Sequence, residues 1–110
     1  MLTSKQRAFL RSLAVNEDTI LMVGKGGVSD ELIAQADGAL NARELIKGKA
    51  LETAPGSARD FAEQIAGETG SEVVQVIGSK FVLYRRNEKK PIIELPKAKK
   101  RRAEGTGAGE

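Results

Sequence analysis

The sequence contains no cysteine and no histidine among its 110 residues. Without cysteine there is no disulfide framework, no thiolate nucleophile and no Cys/His zinc site. Without histidine the most frequent general base is missing, which excludes Ser-His-Asp and Cys-His mechanisms. Tryptophan is also absent, and the aromatic residues are one tyrosine and three phenylalanines. Phe9, Phe61 and Phe81 fit core positions, so binding through exposed base-stacking platforms is not expected. Long apolar runs are lacking too. Ile20-Leu21-Met22-Val23 is four residues long, against about 20 needed to cross a bilayer. Lys5, Arg7 and Arg11 are followed by no apolar stretch resembling a signal-peptide core. The expectation is a cytoplasmic protein that does not enter membranes.

What is present is an ordinary globular composition, 40% hydrophobic and 30% charged. The length supports one domain. The net charge of +3 and the pI of about 9.3 hint at an anionic partner. The charge is unevenly placed. Residues 1–84 hold 9 basic and 11 acidic residues, whereas residues 85–102 hold 9 basic and 2 acidic ones, and 103–110 add two more acids. The globular part is therefore expected over 1–84 at a charge of −2, followed by a basic, largely flexible tail over 85–110. The run Gly105-Thr106-Gly107-Ala108-Gly109-Glu110 is low-complexity and reads as disordered.

Within residues 1–84 the hydrophobic period alternates. Thr3-x-x-Gln6 is a capping box opening a helix over Ser4–Ala14, with Gln6, Phe9, Leu10 and Leu13 on one side and Ser4, Arg7 and Arg11 on another. Thr19–Val23 reads as a buried strand ending in Gly24-Lys25-Gly26-Gly27. Ser29 caps a second helix with Asp30 and Glu31 in its first turn and Leu32, Ile33, Ala36 and Leu40 inward. A weaker strand follows near Glu44–Ala50, where Gly48 lowers β-propensity. Ser57 caps a third helix with Phe61, Ala62, Ile65 and Ala66 as its stripe and Gly70 at its end. Glu72–Ile77 and Lys80–Tyr84 form a hairpin around Gly78-Ser79. The order α-β-α-β-α-β-β predicts a compact α/β domain, a four-stranded mixed sheet with three helices, its strands mostly parallel and the last antiparallel.

Three glycines in four residues between a strand and a helix allow positive φ and close approach of a ligand to the backbone. The amides of the following helix face that loop and suit an anion, and Lys25 adds a mobile positive charge. Three readings compete: a plain tight turn, a nucleotide-binding loop, and a Gly-x-x-Gly clamp on an RNA backbone of the kind KH domains use. The Walker A pattern fails because Lys25 is followed by Gly26-Gly27. The dinucleotide fingerprint fails because Ser29 stands where its third Gly or Ala belongs.

Several separated motifs point to a family. Leu2-Thr3-Ser4-Lys5-Gln6, Leu10-Arg11-Ser12-Leu13-Ala14, Val23-Gly24-Lys25-Gly26-Gly27-Val28, Ala42-Arg43-Glu44-Leu45-Ile46-Lys47, Val74-Gln75-Val76-Ile77-Gly78 and Val82-Leu83-Tyr84-Arg85 occur in that order. Together they resemble the CRM domain (chloroplast RNA splicing and ribosome maturation), in its single-domain bacterial YhbY-like form, over about residues 2 to 95. The resemblance implies a fold similar to the C-terminal domain of translation initiation factor 3, a KH-like Gly-x-x-Gly loop, and association with precursors of the large ribosomal subunit. It implies that Gly24, Lys25, Gly26 and Gly27 contact RNA, with Lys5 and Arg11 of the first helix and Arg43 and Lys47 around the second strand. The chain departs from the family's usual alternation of β-branched residues at Gly48 and Ala50.

The tail adds Arg85 and Arg86 to these candidates, because like-charged runs gain by condensing on a polyanion. Between Pro91 and Pro96, Ile92, Ile93 and Leu95 have two open fates, packing back as an edge segment or standing free for a protein partner. Glu17-Asp18 and Asp30-Glu31 are adjacent pairs whose side chains do not converge, so neither is an acid/base dyad. The expectation is a non-enzymatic, monomeric RNA-binding protein without cofactor or metal. It would contact the backbone of structured ribosomal RNA, with ribosomal proteins as further possible partners. The alternatives are a small nucleotide-binding or regulatory subunit using Gly24–Gly27, and a protein-interaction module docking through Ile92–Leu95.

Overall fold

The computed structural model describes residues 2–87, 89, 91–93 and 95. The low-complexity end and the basic run at 97–102 lie outside the described residues. Among the described residues the order is α1 (Ser4–Ala14), β1 (Thr19–Val23), α2 (Asp30–Arg43), β2 (Leu45–Ala50), α3 (Ala58–Thr69), β3 (Glu72–Ile77) and β4 (Lys80–Tyr84). Each helix starts where a side-chain oxygen satisfies an orphan amide. Thr3 and Gln6 form the reciprocal capping box of α1, and Ser29 and Ser57 cap α2 and α3. Gly70 ends α3 in the left-handed conformation, as its position predicts.

The sheet order is β1-β2-β4-β3. β1 and β2 pair in parallel, and β4 pairs antiparallel to β2 and to β3. Three strands thus run one way and β4 the other, as expected. Insertion of β4 between β2 and β3 makes β2-α3-β3 a split βαβ unit, with the hairpin strand filling the slot. Only one of the three strand pairings is therefore parallel.

Helices pack on both faces of the sheet, on the α1 side over part of it. On one, α2 and α3 close a core of Leu21, Val23, Leu40, Ile46, Phe61, Ile65, Phe81 and Leu83. On the other, α1 lays Leu10 and Ala14 on Leu45, Val74, Val82 and Tyr84. Leu10 and Leu13 of the expected α1 stripe join this cluster, with Ala14 beside them. Phe9 is only half-buried and belongs to neither cluster, which corrects its placement in the core. Arg7 is not on a solvated side, since its Nη1 donates to the carbonyl of Val73 at 2.6 Å and its Nη2 lies 3.6 Å from Glu72.

Gly48 has a packing reason that propensity alone misses. A Cβ there would lie 2.3 Å from Phe81 Cζ, so the glycine is what lets the buried ring rest on the central strand. The loss of β-propensity is offset by an aromatic side chain packed against backbone.

The charge boundary at Tyr84 is not where packing stops. Glu44, fully buried, is the one non-glycine residue with positive φ among the described residues, at 65°. Its N–H donates to Leu40 and its carbonyl accepts from the Arg85 amide. Its carboxylate accepts from the amides of Asn87 (2.6 Å), Ile92 (2.9 Å) and Ile93 (2.6 Å). Ile93 and Leu95 then pack against the α1-side core, while Ile92 stays exposed. The described residues Arg85, Asn87, Ile92, Ile93 and Leu95 are thus tied to the domain. The Tyr84 hydroxyl lies buried in this region without a partner, and burial followed by the nearby Glu44 carboxylate raises its pKa.

Two stability changes follow. Gly48→Ala should lower stability by about 1–3 kcal/mol through overpacking against Phe81, read by urea unfolding. Glu44→Gln replaces one acceptor oxygen with a donor facing backbone N–H groups. It should cost about 1–3 kcal/mol and accelerate hydrogen exchange at the Asn87, Ile92 and Ile93 amides.

Candidate functional site

The alternation of strands and helices divides the surface into two edges. β1, β2 and β3 all end at one, where the chain turns through residues 24–29, 51–57 and 78–79. The amino termini of α2 and α3 lie at this loop edge. The opposite tail edge holds the starts of β2 and β3, the carboxyl ends of α2 and α3, and the exit from β4.

At the loop edge, the Gly27 N–H donates to the Gly24 carbonyl at 3.0 Å, closing a turn with Lys25 and Gly26 at its corners. Both are exposed. The three glycines are not equivalent. Gly27 has φ 69° and a Cβ there would meet Pro55 at 3.4 Å, so the fold itself demands glycine. A Cβ on Gly24 would make an ordinary 3.6 Å contact with Leu51, and one on Gly26 would meet nothing. At these two positions glycine leaves the backbone bare without any packing requirement. The positive end of α2 follows directly, partly offset by exposed Asp30 and Glu31 in its first turn.

The turn is joined to its neighbours by backbone. The Leu51 amide donates to Val23 at 2.8 Å and the Ala50 amide to Ser79 at 2.7 Å, so the three loops form one continuous rim. An open groove of about 650 Å³ runs along it, with Lys49, Glu52, Ser57 and Ser79 in its lining.

The structure separates the basic residues singled out from sequence. Lys25 stands at the loop edge. Lys47 lies mid-sheet, and its Nζ donates to the Ala14 carbonyl at 3.2 Å, capping α1. α1 runs from the start of β3, where Arg7 is anchored, to this point. Lys5 is exposed near the β3 end and Arg11 half-exposed one turn before the other. Arg43, Arg85 and Arg86 lie at the tail edge, a strand length away from the glycine turn. Arg43 pairs loosely with Glu17 at 3.9 Å. Arg85 is committed to the fold. Its Nη1 donates to Asp37 Oδ1 (2.6 Å) and the Thr69 carbonyl (2.8 Å), and its Nη2 to Asn41 Oδ1 (2.9 Å) and the Asp37 carbonyl (3.1 Å). One guanidinium thereby caps the carboxyl end of α3, where a cation is favoured, and ties it to the second half of α2. Its side chain is 20% exposed, so the guanidinium is engaged within the fold. Arg86 is exposed beside it.

Two loop-edge cations were missed. Lys49 and Lys80 are cross-strand partners on β2 and β4. The Lys47-x-Lys49 spacing signals that both lysines share a face, but Lys80 joins them only through a pairing that the sequence does not state. Among the described residues no cluster of three acidic side chains could hold a metal ion, and no helix is long and apolar enough to cross a membrane.

This arrangement is that of a binding module with a bare-backbone turn beside lysines. Residues 2–85 match the CRS1/YhbY (CRM) domain model, and the chain belongs to that family. It is 46% identical over 96 residues to "Probable RNA-binding protein YqeI" of Bacillus subtilis, covering 87% of this chain and 100% of that one. It is 35% identical to an "RNA-binding protein" of Haemophilus influenzae, covering 87% and 96% of the two chains. The solution structure of the hypothetical protein SAV1595 from Staphylococcus aureus superposes with a TM-score of 0.73 at 47% identity, over 87% of this chain and 100% of that one.

The glycine geometry separates folding from contact. Gly27→Ala should lose about 1–2 kcal/mol through its left-handed backbone. Gly26→Ala should leave the unfolding midpoint unchanged and weaken any ligand that lies on the turn backbone, as read by paired denaturation and binding titrations.

Proposed function

We propose that this protein is a non-enzymatic RNA-binding factor that grips the backbone of structured ribosomal RNA, acting in the cytoplasm during assembly of the large ribosomal subunit. The observation that carries the reading is the Gly24–Gly27 turn, where Lys25 projects from a backbone left bare at two glycines that the fold does not require. Phosphate oxygens can approach such amides closely, and a mobile ammonium adds charge without base preference. Relatives named as RNA-binding proteins, matched over nearly their whole length, support the same reading. The ribosomal destination rests on the family resemblance.

Exposed aromatic platforms are lacking on the strands, so affinity must come from phosphate contacts and depend on salt. The basic tail supplies more of the same attraction. Truncation to test it belongs after Leu95, because Arg85, Asn87, Ile93 and Leu95 help hold the domain together.

Filter binding to ribosomal RNA fragments tests the proposal. Lys25→Asp should weaken binding by about tenfold or more and reduce the salt slope by about one. Truncation after Leu95 should lower affinity further while the fold persists. Unchanged affinity in both variants would contradict the proposal. Sedimentation of the tagged protein with large-subunit precursors, rather than with free protein, tests the ribosomal part.

A further inference from the structure

The pairing register places four residues in one row across the sheet on the face that α1 occupies. Met22 pairs with Lys49, Lys49 with Lys80, and Lys80 with Ile77. Their neighbours along the strands, Val23, Gly48, Phe81 and Val76, face or line the α2/α3 core, so the row itself points the other way. α1 covers this face only as far as Leu45, Val74, Val82 and Tyr84. The row beyond it is left open. Met22 is 57% and Ile77 64% exposed, two of the few large apolar side chains in solvent. Lys80 is exposed and Lys49 half-exposed between them.

Two features of the row call for a ligand. First, Lys49 and Lys80 are like charges directly opposite each other, an arrangement that destabilises an antiparallel pair. No carboxylate belongs to this row or to the adjoining Thr19–Lys47–Val82–Gln75 row. Glu52 lies in the groove at the edge, whose lining it shares with Lys49. Secondly, the lysines are flanked by exposed apolar side chains, which complement sugar and base surfaces on either side of a phosphate. The row begins at β1, two residues before Gly24, and crosses four strands, about 14 Å at the usual strand spacing.

We infer that the Met22–Lys49–Lys80–Ile77 row is a second contact surface for an extended single strand of RNA, continuing from the Gly24–Gly27 turn across the sheet. A phosphate between Lys49 and Lys80 relieves their repulsion, and Met22 and Ile77 cover the neighbouring riboses and base edges. This rests on the RNA-binding reading above and extends it to a specific path and strand state.

The repulsion gives the test opposite signs for stability and binding. The double variant Lys49→Gln/Lys80→Gln should melt at the same temperature as the wild type or higher, while binding RNA more weakly. Unstructured oligoribonucleotides of about four and about ten nucleotides separate the two surfaces, because a Gly-x-x-Gly loop spans about four. In anisotropy titrations the wild type should prefer the longer oligomer by about tenfold or more. The double variant should lose that preference and keep the affinity for the shorter one, whereas Lys25→Gln should weaken both. If the wild type prefers the longer oligomer and the double variant keeps that preference, the row is not part of the path and the inference falls alone. If structured ribosomal RNA binds and the oligomers do not, the single-strand assignment is overturned. Binding of an acidic peptide in place of the long oligomer, lost in the double variant, would overturn it in favour of a protein partner. If no RNA of any kind binds the wild type, the underlying function is wrong.

Discussion

The buried carboxylate of Glu44 is the constraint around which this domain is organised. It sits where α2 turns into β2, at a backbone conformation that ordinarily favours glycine. That strain is of the order of 1–2 kcal/mol, and it is sustained because every polar atom of the residue is engaged. Backbone groups fix the helix end and the exit of β4, and the carboxylate gathers three amides from the segment that follows. A carboxylate taken out of water needs such donors. Chain segments more than forty residues apart are thereby joined at the start of β2, which pairs with both β1 and β4.

The tail edge is consequently a structural knot. Arg85 and Asn87 satisfy the carboxyl ends of α2 and α3 there, and Glu44 holds the following strap against the α1-side core. Arg85, among the basic residues at this edge, is drawn into the fold. The loop edge has the opposite character. Its glycine turn is open, Lys25 and Lys80 are exposed, and its sheet row carries like charges side by side. A protein that concentrates internal satisfaction at one edge leaves its unmet electrostatics at the other.

Much of this was readable from the sequence because local rules suffice for local features. Thr3-x-x-Gln6, Ser29, Ser57 and Gly70 announce helix ends through hydrogen-bonding chemistry, and the alternating periods give all seven elements. Side-chain partnership across distance was not readable. Arg85 belongs to a basic run, yet the ends of two helices claim it. Glu44 looks like the unremarked first residue of a strand. Gly48 weakens a strand by propensity but admits the ring of Phe81, which arrives from another strand. Lys80 acquires its meaning only from the β2–β4 register. In each case at least one decisive neighbour lies more than thirty residues away along the chain. Family resemblance supplied the glycine turn as a site, but it did not divide the basic residues between the two edges.

The central claim is that binding belongs to the loop edge and folding to the tail edge. Titration of the isotopically labelled full chain with a ribosomal RNA fragment, followed by backbone amide resonances, tests it most directly. Binding at the loop edge should shift Lys25, Gly26, Lys49 and Lys80 progressively and leave the amides of Asn87, Ile92 and Ile93 unmoved. Shifts centred instead on Arg43, Glu44 and Arg85, with the glycine turn silent, would contradict it.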